Sequence, residues 1–242
     1  MTDDELAEHL AVAAGELLMD IREEARDSGR ALGDRGDREA NALLLDRLHR
    51  ERPGDFILSE EARDDPARCA ARRVWIIDPL DGTREYSEGR EDWAVHVGLA
   101  IDGEPQCGAV ALPARRAVFS TGKRSTSTRA PADRLRMVVS RSRAPQIATR
   151  IAAAVGAELV PMGSAGAKAM AVVAGEADVY LHAGGQYEWD NCAPVAVARA
   201  HGLHASRLDG GALVYNCLDP LLPDLLICRP ELLPQLTAAA GA

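Results

Sequence analysis

No apolar run in this chain approaches the roughly 20 residues that a helix needs to cross a bilayer, which excludes a helical membrane span. The first residues, Met1-Thr2-Asp3-Asp4-Glu5, are acidic where a secretory leader is basic. The expected location is therefore the cytoplasm, with no membrane partner. Cys69, Cys107, Cys192, Cys217 and Cys228 are odd in number and show no CxxC spacing, so neither a disulfide framework nor a zinc knuckle is indicated. A P-loop and a G-x-G-x-x-G are both missing, which argues against an NTPase or a dinucleotide enzyme. Gly163-Ser164-Ala165-Gly166 lacks the glycine two before the serine that a nucleophile elbow requires. Of the six histidines, His201 and His204 lie close together, but no third ligand follows at a metal-site spacing. Cationic residues are in deficit: 28 Lys and Arg stand against 37 Asp and Glu, a net charge of −9. Such a surface repels nucleic acid polymers, and an anionic small substrate would need cations supplied locally.

What the chain does have is enough apolar material, 47% of 242 residues, for one large domain or two smaller ones sharing an interface. Its most informative stretch runs from Val74 to Tyr86. Val74-Trp75-Ile76-Ile77 reads as a buried strand, and Pro79 stops the ladder. Asp78 and Asp81 then fall on a sharp turn. Two unneutralised carboxylates about 4 Å apart repel by roughly 4 kcal/mol at an effective dielectric near 20, so a cation belongs between them. Asp81-Gly82-Thr83 reads as a turn opening a helix, where free N–H groups favour an anion. Paired acids beside an anion-receiving turn point to metal-assisted chemistry on a phosphate.

Thr2-x-x-Glu5 is a capping box, and Leu6, Leu10, Ala13, Leu17 and Ile21 follow at helical spacing, which predicts a helix from residue 3 to about 26. Gly29 to Gly36 reads as a break and 37–50 as a second helix, with Asp37 at its start. Phe56-Ile57-Leu58 is a short strand running into Ser59-Glu60-Glu61, a second apolar segment ending in acid, so Glu60 is expected to meet Asp78 and Asp81 at one sheet edge. Strands follow at 93–100, 107–112 and 117–120, an antiparallel meander. Residues 121–133 carry no periodicity and mark a boundary or a loop. The remainder alternates strands (135–139, 157–161, 177–181, 224–228) with helices (145–155, 164–174, 188 to about 201, and one from Pro230), an α/β pattern. No internal repeat is present. Asp190, in Glu188-Trp189-Asp190, reads by itself first as a helix cap, and its place beside the Glu-Trp pair leaves room for a site role.

Asp78-Pro79-Leu80-Asp81-Gly82-Thr83 resembles the signature of the inositol monophosphatase-like family, Mg²⁺-dependent and lithium-sensitive phosphatases. The resemblance continues in Ser59-Glu60-Glu61, in Trp189-Asp190 and in Gly163-Ser164…Lys168…Gly175-x-x-Asp178-x-Tyr180, so it covers nearly the whole chain in family order. Arg84-Glu85-Tyr86 and Ser140-Arg141-Ser142 look like the 3'(2'),5'-bisphosphate nucleotidase branch. The resemblance implies an α/β fold, an αβαβα layered sandwich with an α+β N-terminal half (1–130) and an α/β C-terminal half (131–242). It implies two or three Mg²⁺ ions, with Glu60, Asp78 and the Leu80 carbonyl around one and Asp78, Asp81 and Asp190 around a second. Asp37, Glu60 and Thr83 become the catalytic set, Asp37 and Thr83 orienting the attacking water. Asp81, Gly82, Thr83, Arg84, Arg141, Ser164, Lys168 and Asp190 become substrate contacts. The implied reaction is removal of the 3'-phosphate of 3'-phosphoadenosine 5'-phosphate, a step of sulfate assimilation; an inositol-1-phosphate or fructose-1,6-bisphosphate phosphatase is the alternative. The chain departs from the family pattern in one extra residue between Ser164 and Lys168, and in His182, near where nucleotidase relatives carry an arginine. An exposed edge of the sandwich could pair with a second copy as a homodimer.

Overall fold

The structure is a computed structural model that describes residues 1–24, 28–123, 134–142 and 144–241. Helix α1 (Asp3–Glu23) opens on the expected capping box: Glu5 N–H donates to Thr2 Oγ1 at 3.2 Å, and Thr2 N–H donates to Glu5 Oε2 at 2.8 Å. Leu6, Leu10, Ala14, Leu18 and Ile21 form its buried face. Helix α2 (Arg30–Glu51) begins seven residues before the predicted start, so the expected break and the placing of Asp37 at the helix start are both corrected; Asp37 lies inside the helix. Gly33 and Gly36 lie inside the helix and serve close approach. A Cβ on Gly33 would meet Ser87 Oγ and Thr83 Cγ2 at 2.7 Å; one on Gly36 would meet Leu18, Leu80 and Tyr86 side chains at 3.0–3.2 Å.

The first sheet has the order β1 (Phe56–Ser59), β2 (Arg73–Asp81), β3 (Ala94–Ile101), β4 (Glu104–Leu112), β5 (Ala117–Ser120), with β1 parallel to β2 and the rest antiparallel. The short helix α3 (Thr83–Ser87) links β2 to β3. The second sheet is formed by β7 (Glu158–Met162), β6 (Arg136–Ser140), β8 (Val179–Tyr187), β10 (Leu221–Cys228) and β9 (His204–Ser206) in that order. β6 runs parallel to β7 and β8, and β10 antiparallel to β8 and β9. Strand β8 extends six residues past its predicted end, through Gly184 and Gly185 at φ 124° and 89°, and β9 carried too short an apolar signal to be predicted.

Alternation along the strands builds the layers. Trp75 and Ile77 face α1 and α2, while Val74 and Ile76 face the opposite way, toward α5 (Ala165–Val173) and α6 (Glu188–Ala200). Those two helices are covered on their far side by Val138, Tyr180, Leu225 and Ile227 of the second sheet. Its outer face, Met137, Val139, Val179 and Leu226, packs on α4 (Gln146–Val155) and α7 (Leu233–Gly241). The result is the αβαβα order. The expected boundary at 130/131 and most of the 121–133 loop fall at 124–133, outside the described residues.

Candidate functional site

The two sheets point the ends of β2, β6 and β8 toward one cleft. At the end of β2 the ladder to β3 slips: Asp78 pairs with His96 but Asp81 pairs with Ala94, so three steps on one strand match two on the other. This bulge around Pro79 turns Asp78 and Asp81 into the same space. Asp190 arrives from the first turn of α6. There, as the third residue of the helix, it accepts from Tyr187 N–H at 2.6 Å, so Tyr187, not Asp190, is the N-cap. Ligand oxygens of Asp78, Asp81 and Asp190 lie within 4.8 Å of one another. Glu60 follows the end of β1, its N–H reaching Ile77 O at 3.4 Å. The turn that carries it is pinned by Ser59 Oγ, which donates to Asn41 Oδ1 at 2.8 Å and accepts from Glu61 N–H at 3.3 Å.

Four carboxylates in so small a space perturb one another. Burial, then Glu60, Asp81 and Asp190, push Asp78 well above the ordinary carboxylate range. Desolvation of its carboxyl, then Asp190 and Asp81, lift Glu60 to about 7, although much of the residue is exposed. Burial and Asp81 bring Asp190 to about 6. Asp81 alone is lowered: burial opposes its charge, but His96, Lys168 and the Ser164 hydroxyl outweigh it. An all-oxygen donor set short of positive charge suits a hard divalent cation.

Beside the acids, Gly82 stands at φ 91° and ψ 41°, where a Cβ would also press on Ser164 Cβ and Trp93 Cβ, both at 3.2 Å; only glycine makes this turn without strain. Thr83 Oγ1 lies 3.1 Å from Leu80 O and 3.4 Å from Asp37 Oδ1. Burial, then Glu61, raise Asp37 to about 7. Leu80 N–H is held by Asp78 Oδ1 at 3.0 Å. Tyr86 is buried and structural: its hydroxyl donates to Leu18 O at 2.7 Å and its ring meets Trp93 edge-on at 5.0 Å.

A cleft of ≈ 270 Å³ runs from Asp81, Gly82 and Asp190 to Arg141, Ser164, Lys168 and His182. Ser164 is the N-cap of α5 and donates to Asp81. Ala165 N–H and Gly166 N–H reach Asp81 at 3.1 and 2.6 Å. Lys168 is 5% exposed and is tethered to the carbonyls of Gly163 and Ser164; burial lowers its pKa although Asp81 opposes this. Arg141 Nη2 pairs with Glu85 at 2.6 Å and Glu88 at 3.3 Å across the mouth. Arg84 stands apart: it is exposed, pairs with Glu88 at 2.8 Å and does not line the cleft, whereas the next residue of α3, Glu85, does. Sequence reasoning missed Glu85, and it missed His96. A histidine inside the apolar strand Trp93-Ala94-Val95-His96-Val97 was the available signal for the latter. Its Nε2 lies 3.2 Å from Asp81 Oδ2, off the line of a well-directed hydrogen bond, and its Nδ1 lies 3.0 Å from Trp189 O. Burial opposes its charge but Asp81 prevails, raising its pKa. Glu188 turns out to be structural, accepting from Asn216 N–H and Cys217 N–H at 2.7 and 2.8 Å.

Comparison with known proteins gives a consistent set of likenesses. Residues 3–240 match the model of the inositol monophosphatase family. The 3'-phosphoadenosine 5'-phosphate phosphatase of Mycobacterium leprae is 55% identical, with 98% of this chain and 92% of that protein covered. Inositol-1-monophosphatase SuhB of Mycobacterium tuberculosis is 31% identical over 79% of this chain and 75% of its own length. The crystal structure of CysQ from Bacteroides thetaiotaomicron superposes with a TM-score of 0.80 at 26% identity, covering 94% of this chain and 97% of that one.

Proposed function

The chain belongs to the inositol monophosphatase family, and we propose that it is a cation-dependent phosphatase that removes the 3'-phosphate of 3'-phosphoadenosine 5'-phosphate, giving AMP and phosphate. The observation that carries the substrate is the 55% identity, over 98% of the chain, to a phosphatase of that name; the inositol phosphatase relative stands at 31%. No helix in the described residues is long and apolar enough to cross a membrane, in keeping with a small phosphorylated substrate taken from solution.

The donor set fits Mg²⁺: Glu60, Asp78, Asp81 and Asp190 offer carboxylate oxygens and Leu80 a carbonyl, with no nitrogen or sulfur ligand among them. Bound there, two or three such ions would supply Lewis-acid stabilisation of the phosphoryl oxygens. The chain's own groups do the rest. The turn at Asp81-Gly82-Thr83 presents backbone N–H groups to the scissile phosphate. Thr83 Oγ1 accepts a hydrogen bond from the attacking water and passes its own proton toward Asp37, whose pKa of about 7 suits a base at neutral pH. Glu60, also near 7, stands on the open side of the cluster, where it can hold a second water. Lys168 and Ser164 bound the nucleoside side of the cleft, and Arg141 receives the phosphate that stays, exchanging Glu85 for it. Arg84, turned away from the cleft, takes no part in this reading.

The test is a comparison of kcat/KM with Mg²⁺ for 3'-phosphoadenosine 5'-phosphate, inositol 1-phosphate and fructose 1,6-bisphosphate. The nucleotide is expected to lead by at least tenfold; a higher value for inositol 1-phosphate would overturn the substrate assignment while leaving the metal chemistry in place.

A further inference from the structure

His96 is fully buried in the middle of a strand, and its two ring nitrogens face two different elements. Nδ1 lies 3.0 Å from the Trp189 carbonyl oxygen and Nε2 lies 3.2 Å from Asp81 Oδ2. The carbonyl oxygen can only accept, so Nδ1 carries a proton and donates to it, while Nε2 faces Asp81 Oδ2 in a close polar contact that lies off the line of a directed hydrogen bond. One side chain thereby joins the end of β2 to the first turn of α6, one residue from Asp190, and it stands in register with Asp78 across the sheet. The ring has no room to turn away. A Cβ on Gly166 would come within 2.1 Å of Nε2, so α5 closes on the imidazole at the one residue type that permits it.

The donors on Asp81 are distributed unevenly. Oδ2 accepts from Ser164 Oγ and Gly166 N–H and faces His96, while Oδ1 accepts from Ala165 N–H alone. A carboxylate offers about four lone-pair directions, so this loading leaves Oδ1 as the oxygen with capacity to spare. We propose that His96 is a positioning residue that fixes the Asp81 carboxylate relative to the Asp190-bearing turn and so sets the affinity of the site for its divalent cation. The inference rests on the reading of Asp81 and Asp190 as cation ligands. Partners of this kind typically alter metal affinity 10- to 100-fold when removed.

Two substitutions separate the two contacts. In His96→Gln the amide nitrogen falls where Nε2 was, toward Asp81; in His96→Asn it falls where Nδ1 was, toward the Trp189 carbonyl. Mg²⁺ binding is measured by calorimetry in the absence of substrate, with thermal melts in EDTA for each protein. His96→Asn is expected to bind Mg²⁺ about 10- to 100-fold more weakly than the wild type, and His96→Gln to recover to within about fivefold. Equal affinity in all three proteins overturns the proposal, and so does equal weakening in both variants, which would mark a core residue with no particular contact with Asp81. Should His96→Asn fail to fold, the wild type labelled with ¹⁵N-histidine decides. The Nε2 resonance of the buried histidine is expected to move on Mg²⁺ addition with the calorimetric midpoint, and an unmoved resonance overturns the proposal. A wild type that binds no cation sinks the ligand reading itself, which distinguishes the two failures.

Discussion

Replacing Asp78 by Asn should stabilise the cation-free protein while removing its response to Mg²⁺. Asp78 is 1% exposed, and its oxygens lie within 4.8 Å of those of Asp81 and Asp190. At an effective dielectric near 20, each fully ionised pair at that separation repels by about 3–4 kcal/mol. His96 and Lys168 offset part of this, and Asp78 takes up a proton when the charge is too costly, so the net penalty falls to about 1–3 kcal/mol. Asn preserves the shape and the hydrogen bond from Leu80 N–H to Oδ1 at 3.0 Å. For a chain of this size 1 kcal/mol moves the melting temperature by roughly 2–4 °C, so Asp78→Asn is expected to melt about 3–10 °C higher than wild type in EDTA at pH 8. The pH dependence has a definite sign. The folded pKa of Asp78 lies above its unfolded value, so the folded state binds the extra proton and wild-type stability declines as pH rises between the two. The gap between the proteins should therefore close on going from pH 8 to pH 5. Mg²⁺ at 100 times its Kd should raise wild-type stability by about 2.7 kcal/mol and leave the variant almost unmoved. Differential scanning fluorimetry with and without Mg²⁺ reads both effects. A variant that melts below wild type in EDTA, or that keeps the full Mg²⁺ shift, would refute the electrostatic reasoning.

Asp37→Asn should lower kcat about 10²- to 10⁴-fold with Mg²⁺ binding retained, and should abolish an acidic limb in the kcat/KM profile near pH 7, below which a protonated Asp37 cannot act as base. Gly36→Ala pushes a methyl against Leu18, Leu80 and Tyr86 at 3.0–3.2 Å and should cost about 1–3 kcal/mol in urea unfolding, with activity falling because Leu80 belongs to the catalytic turn. Arg141→Ala should raise KM for 3'-phosphoadenosine 5'-phosphate at least tenfold and change KM for inositol 1-phosphate much less, since the latter has no second phosphate to lose; equal effects on both would remove Arg141 from substrate recognition.

The layers were legible because the strands obey a simple period. Val74 and Ile76 on one side of β2 and Trp75 and Ile77 on the other announce a sheet covered on both faces, and the structure covers it with α1, α2, α5 and α6. The acids at the ends of β1 and β2 were equally readable, because an apolar strand that ends in carboxylate signals a site edge. The start of α2 was not. Gly33 and Gly36 carry the local signature of a break, and only the tertiary approach of Thr83, Ser87 and Leu80 makes them helix residues. His96 escaped for a related reason: its meaning lies in Trp189 and Asp81, which meet it only once the strand bulge and α6 are in place. Arg84 and Glu85 show the limit of a motif read as a string, since successive helix residues point about 100° apart and only one of them lines the cleft.

The most direct test of the central claim is ³¹P NMR of 3'-phosphoadenosine 5'-phosphate incubated with the purified protein. With Mg²⁺ present, the 3'-phosphate resonance should be lost and replaced by inorganic phosphate while the 5'-phosphate of AMP persists, and EDTA should stop the change. Loss of the 5'-phosphate in place of the 3'-phosphate, or undiminished turnover in EDTA, would contradict the account.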